Sequence, residues 1–158
     1  MDIKVSLERA DSIEALNLIE ELDRNMRALY PEGSIHPFDP HLDAAPPGVF
    51  VIARVDGKGV GCGAVRPLDG SVGEVKRVFV QPECRRMGIA SRIMALLEDK
   101  GLQNGFTTLR LETGTKQPEA IALYESLGYR RIPTFGEYVP DPYSICYEKE
   151  LSPEKRSK

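Results

Sequence analysis

The chain has 158 residues, enough for about one ordinary domain and too short for two enzyme domains with a cleft between them. Apolar residues make up 41% and charged residues 28%, a globular balance that argues against disorder. Basic and acidic residues number 21 and 24, for a net charge of −3, and like charges cluster only as a small basic patch in the tail. A general grip on nucleic acid, which needs a positive face, is therefore not expected.

No apolar run approaches the roughly 18 residues that a membrane span needs. Met1 to Leu7 alternates like a strand and lacks the unbroken apolar core of a signal peptide. Cys62, Cys84 and Cys146 are odd in number and widely spaced, which suits reduced thiols in a cytoplasmic protein. His36 and His41 form no metal-ligand pattern with them, so no metal is expected. One domain over residues 1–151, with a frayed polar tail at 152–158, is the expectation.

Residues 2–7 read as a first strand. Asp11 with Glu14 forms a capping box, which predicts a helix start there. Its apolar stripe is Ile13, Leu16, Ile19, Leu22, Met26 and Leu29, and Pro31 closes it. Residues 31–48 hold five prolines and two histidines without periodicity, a loop with at most one irregular helical turn. Loops of that length in compact domains often lie over a binding site.

Val49–Val55 is nearly all apolar and reads as a strand buried on both faces. Asp56-Gly57 marks a hairpin, and the return strand runs from Val60 to Arg66. Gly61 and Gly63 within it predict close approach of another segment. Pro67–Gly70 is a second turn and Val72–Val80 a third strand. Next comes a helix with the apolar face Ile89, Ile93, Leu96 and Leu97, ended by Gly101 or Gly105. The strand Thr107–Glu112 completes a β-loop-α-β unit, which favours parallel pairing. Pro118 suits a first helical position, Gly128 follows that helix, and strands are expected at Tyr129–Arg131 and Ser144–Leu151. The order β-α-β-β-β-α-β-α-β-β predicts an α/β (α+β) fold: a mixed, mostly antiparallel central sheet with helices on both faces.

Between the third strand and the second helix stands Arg85-Arg86-Met87-Gly88-Ile89-Ala90. First-turn amides of a helix lack internal partners and the macrodipole adds positive potential, so this junction can hold an anion. Gly88 and Ala90 let a pyrophosphate approach the backbone, and Arg85 and Arg86 add charge. The alternative is a solvated basic loop with a helix-packing glycine. Neither the P-loop nor the dinucleotide-binding glycine pattern is present.

Three segments in order carry a family likeness: Glu74–Val80, the loop Arg85–Ala90, and Ala120-Ile121-Ala122-Leu123-Tyr124-Glu125-Ser126-Leu127-Gly128-Tyr129. Together they resemble the GNAT family of N-acetyltransferases, whose signature is Arg/Gln-x-x-Gly-x-Gly/Ala between a strand and a helix. The resemblance implies the GNAT-like acyl-CoA N-acyltransferase fold and direct transfer of acetyl from acetyl-CoA to an amine. It further implies that the main chain of Val78, Phe79 and Val80 holds the pantetheine arm. The amides of Arg85, Arg86, Met87, Gly88, Ile89 and Ala90 would take the pyrophosphate, with Ser91 in reach. Two positions depart from the family pattern: Ala90 replaces the second glycine, and Gln117 stands where an asparagine is usual.

Tyr124 occupies the family's general-acid position, and a phenol with a pKa near 10 carries its proton at neutral pH. A core tyrosine with its hydroxyl paired to backbone is the alternative. Glu74 is the candidate base for the incoming ammonium. On an ideal strand it shares a face with Lys76, Val78 and Val80, although a β-bulge would re-aim these side chains. A plain Glu74–Lys76 surface pair, or no dedicated base at all, are the alternatives. Cys84 as a covalent nucleophile lacks a paired histidine nearby.

Residues 31–43, with Glu32, His36 and the adjoining Tyr30, and the loop 133–143, with Phe135, Glu137, Tyr138 and Asp141, are candidates for the acceptor side, as aromatic faces and carboxylates suit a small cationic amine. Solvated loop charges and plain surface histidines are the alternative. The expected partner is thus a small-molecule amine, or a peptide or protein amine. No nucleic acid or membrane is expected, and the chain is a monomer or homodimer. The rivals are a non-catalytic acyl-CoA-binding or partner-binding module and acyl transfer to a hydroxyl or hydrazine.

Overall fold

The computed structural model describes residues 1–30, 36–136, 138 and 142–152. In chain order the elements are β1 (Ile3–Leu7), α1 (Ile13–Leu29), β2 (Val49–Val55), β3 (Lys58–Asp69), β4 (Val72–Val80), α2 (Ile89–Gln103), β5 (Thr108–Gly114), α3 (Pro118–Ser126), β6 (Arg130–Ile132) and β7 (Ser144–Glu150). A short 3-10 turn, Pro82–Cys84, lies between β4 and α2. The seven strands form one sheet in the order β1-β2-β3-β4-β5-β7-β6. β4 and β5 run parallel, joined by α2, and the other neighbouring pairs are antiparallel. Among the described residues no helix is long and apolar enough to cross a membrane.

Helices cover both faces, which is why β2 is buried throughout its first five residues. On one face α1 packs Leu18, Ile19 and Leu22 against Phe50, Ile52, Cys62 and Phe79. On the other, Ile89, Ile93, Met94 and Leu97 of α2 meet Val51, Val65, Val75 and Val80. The glycines of β3 let α2 approach: a Cβ at Gly63 would lie 2.8 Å from Ile93 Cγ2, and one at Gly61 2.6 Å from the Phe79 carbonyl oxygen.

The start of α1 differs from expectation. Ser12, not Asp11, is the cap, its Oγ accepting from the Ala15 amide at 3.1 Å. Asp11 instead takes both arms of the Arg9 guanidinium, and Glu14 reaches across to Arg54 and the Gly59 amide. The helix is also rotated from the predicted stripe. Ala15, Leu18, Ile19 and Leu22 are buried, whereas Ile13 is 80% exposed and Leu16 and Leu29 face outward. Both stripes satisfy helical spacing, and contact with the sheet selects one. The second turn is tighter than predicted, since β3 continues through Pro67 and leaves only Gly70 and Ser71 to reverse the chain.

β4 is irregular at its centre. Cys62 faces Phe79 and Ala64 faces Lys76, so Gly63 alone opposes both Arg77 and Val78. This is a bulge, and Arg77 sits in the left-handed region at φ 55°. Alternation slips by one across it. Glu74 and Lys76 lie on the α1 face, while Val78 and Val80 pack toward α2. The ideal-strand expectation that all four share a face is therefore corrected. Just before the bulge β4 also leaves β5: their pairing covers Val72–Val75 against Thr108–Leu111 and stops there.

Candidate active site

A cleft of about 100 Å³ opens where β4 and β5 part. Its walls come from Lys76–Val78 of β4, Glu112–Gly114 of β5, Gln117, Ala120 and Tyr124 of the α3 segment, and Leu22, Asp23 and Met26 of α1. His36 and Tyr138 close the remaining side. Main-chain groups at a bulge and a strand fork are not all consumed by ladder bonds, so the cleft is lined by backbone as well as side chains.

Tyr124 reaches the cleft from α3, where Pro118 starts the helix and the apolar Ala120, Leu123 and Leu127 hold it to the core. The residue is 7% exposed, and its hydroxyl makes no hydrogen bond among the described residues. Pairing of that hydroxyl to backbone, the alternative for a purely structural tyrosine, is not seen. Burial first, and then the Glu112 charge, push the phenol above its ordinary pKa, so it holds its proton.

Glu74 is fully buried and does not line the cleft. One carboxylate oxygen accepts from Arg66 Nε at 2.8 Å and the other from the Tyr138 hydroxyl at 2.5 Å. It is no surface pair with Lys76. A carboxylate enclosed in this way holds Tyr138 in place.

At the β4–α2 junction Gly88 is the N-cap of α2 at φ 76°, with Arg86 also left-handed at φ 64°. No side chain caps α2 and no acidic residue occupies its first turn, so its leading amides remain available to an external anion. Arg85, Arg86 and Gly88 are exposed, Met87, Ala90 and Ser91 half-buried, and Ile89 turns its side chain into the core while its amide stays in the first turn. Arg85 Nε donates to the Val80 carbonyl at 3.1 Å, tying the loop to the strand end. Of the strand residues expected to hold a cofactor, Val78 lines the cleft, Val80 packs toward α2 and Phe79 is buried against α1.

Gln117 borders the cleft, and its Oε1 lies 3.4 Å from the Tyr30 hydroxyl. That hydroxyl accepts from the Lys116 amide at 3.1 Å and fills the space where any side chain on Gly114 would lie. On the acceptor side His36 and Tyr138 meet edge to face at 4.3 Å, and Phe135 packs on Tyr138 at 5.2 Å without lining the cleft. Glu32, Glu137 and Asp141 lie outside the described residues.

Two cleft residues have no counterpart in the sequence reading. Asp23 of α1 and Arg77 of the bulge form an ion pair, with Arg77 Nε 3.0 Å from Asp23 Oδ1. Arg77 also donates to the His36 carbonyl at 2.7 Å and lies over the Phe38 ring. Burial raises the Asp23 pKa, outweighing the lowering by Arg77. No local pattern marks either residue, because the pair exists only once α1 lies on the bulge.

Comparison with known proteins agrees with this geometry. The sequence profile of the acetyltransferase (GNAT) family matches residues 15–129. The chain belongs to the GNAT family. It is 44% identical over 137 residues to an IAA acetyltransferase of Azospirillum brasilense, covering 86% of this chain and 90% of that protein. A Klebsiella pneumoniae structure described as an acyl-CoA N-acyltransferase superposes with a TM-score of 0.80 at 34% identity, over 95% of this chain and 98% of its own. A GNAT acetyltransferase of Elizabethkingia anophelis, solved with acetyl-CoA bound, has the same fold at TM-score 0.65 and 16% identity, over 94% and 98% of the two chains.

As a GNAT member the chain is an acetyl-CoA-dependent N-acyltransferase. Its own residues fit that donor: an uncapped helix start with open space around Gly88 suits pyrophosphate, and the parted strands leave a slot toward Tyr124. When bound, acetyl-CoA supplies the acetyl group as an activated thioester.

Proposed function

We propose that this enzyme acetylates the amine of a small molecule by direct attack on the thioester. The observation that carries the reading is Tyr124: a proton-bearing hydroxyl in the cleft, unpaired to protein among the described residues. It donates to the departing sulfur. The main chain of Val78 and Val80 holds the pantetheine arm and the Arg85–Ser91 turn the pyrophosphate, with Gln117 at the cleft rim fixed by Tyr30. Glu74 acts by fixing Tyr138, and the amine reaches the thioester neutral through its own equilibrium or a water.

A small acceptor is supported by the modest cleft and by the likeness to a relative named as an IAA acetyltransferase. The three free cysteines support work in a reducing cytoplasm. Residues 1–151 then serve as one catalytic domain, as monomer or homodimer. The test is release of free CoA thiol from acetyl-CoA across a panel of primary amines, amino acids, peptides, alcohols and hydrazines. Turnover with amines is expected. Tight acetyl-CoA binding without turnover on any acceptor would leave a binding module in its place.

A further inference from the structure

The geometry points to Asp23 as the anion that docks the acceptor's protonated amino group, with Arg77 as the residue that positions it. This rests on amine acetylation in the cleft and names the acceptor class: amines that arrive as ammonium ions. Asp23 and Tyr124 line the same cleft from opposite elements, α1 and α3. Asp23 Oδ1 and Arg77 Nε are both buried, yet neither makes an aligned hydrogen bond among the described residues, although they lie 3.0 Å apart. A half-buried carboxylate with one oxygen incompletely bonded gains from a new N–H donor. An ammonium offers three, and gives one of those protons to Asp23 or through a water to solvent before the neutral amine attacks the thioester.

Arg77 accepts a left-handed conformation, φ 55°, that non-glycine residues rarely adopt. What it obtains is placement: one side chain holds Asp23, the His36 carbonyl and the Phe38 ring together. His36 and Tyr138, packed edge to face, line the same cleft and form a wall suited to the apolar body of an arylalkyl or alkyl amine. The other cleft carboxylate, Glu112, already accepts from Ser144 Oγ at 2.6 Å.

The experiment uses the full chain, acetyl-CoA and benzylamine, with the best amine of a panel as a second probe. Asp23→Asn is expected to raise the amine KM at least tenfold and leave the acetyl-CoA KM within twofold. Arg77→Gly, which adopts φ 55° without strain and so keeps the bulge, is expected to do the same, with Arg77→Lys intermediate. Benzylamine should raise the thermal midpoint of the wild type and not of Asp23→Asn, a readout that needs no turnover. An unchanged amine KM in folded Asp23→Asn, or a KM that responds to Glu112→Gln instead, overturns the assignment. If the wild type turns over no amine at all, the function itself fails and the docking role falls with it.

Discussion

Gly88→Glu tests the anion site most directly. Nothing lies within 4 Å of a Cβ built at Gly88, so the substitution creates no clash. Its direct cost is conformational: φ 76° is left-handed, and a side chain there costs about 1–2 kcal/mol. A carboxylate at a helix start returns about 0.3–1 kcal/mol through the macrodipole. The net loss of about 1 kcal/mol leaves a marginal fold intact and moves Tm by only about 2–4 °C. Against a bound pyrophosphate the same charge acts at close range. At about 5 Å and an effective dielectric near 20, each like-charge contact costs about 3 kcal/mol, which is about 10²-fold in Kd. Gly88→Ala carries the strain without the charge, so it separates the two effects and should weaken binding only a few-fold. Titration calorimetry with acetyl-CoA on both variants, beside thermal melts, gives the comparison. A folded Gly88→Glu protein with wild-type affinity refutes the pyrophosphate site.

Tyr124→Phe keeps the ring and its packing, so kcat should fall by about 10²-fold while acetyl-CoA affinity holds; a kcat within about twofold makes Tyr124 structural. Glu74→Gln leaves Arg66 without its buried partner, and urea unfolding should show a loss of about 2 kcal/mol, since Arg66 keeps some solvent contact. Asp23→Asn should change stability with pH in a defined direction. Burial holds the folded pKa of Asp23 above its ordinary value, outweighing Arg77, while Glu20 raises it and Arg27 lowers it; Lys76, Glu112 and His36 line the same cleft. A raised acid binds more protons folded than unfolded, so it costs stability as pH climbs through that window. Asn removes this cost: Tm should rise at pH 7, and the gain should vanish below about pH 4, where both states are protonated. A variant that is more stable yet binds amine worse is the signature of a residue kept for function.

Where information is local, the sequence carried it to the structure. The strands and helices were legible from alternation, helical spacing and glycine or proline punctuation, and the order of all ten elements matches. The uncapped strand-to-helix junction at Gly88 was legible for the same reason, since strand end, arginines, glycine and helix start are contiguous. Features that need a partner were not. The rotation of α1 depends on which of two overlapping apolar stripes the sheet accepts, and Ile13 lost to Leu18. Burial of Glu74 depends on Arg66 across the β3–β4 ladder and on Tyr138 from a loop far along the chain. As an isolated strand residue, Glu74 reads as a candidate base; in the fold its carboxylate is buried between both partners.

The bulge at Arg77 decides which strand side chains face each layer of helices. On a regular strand Val78 would face α1 with Glu74 and Lys76. One extra residue on β4 reverses that parity, sending Val78 and Val80 toward α2 and leaving the α1 face to Asp23, Lys76 and Tyr138. The same residue whose backbone makes the reversal extends the side chain that grips Asp23 and the His36 carbonyl. On the proposed reading, a shift in the bulge would therefore move the carboxylate that docks the amine and the strand that holds the donor together, so one left-handed residue sets their registration.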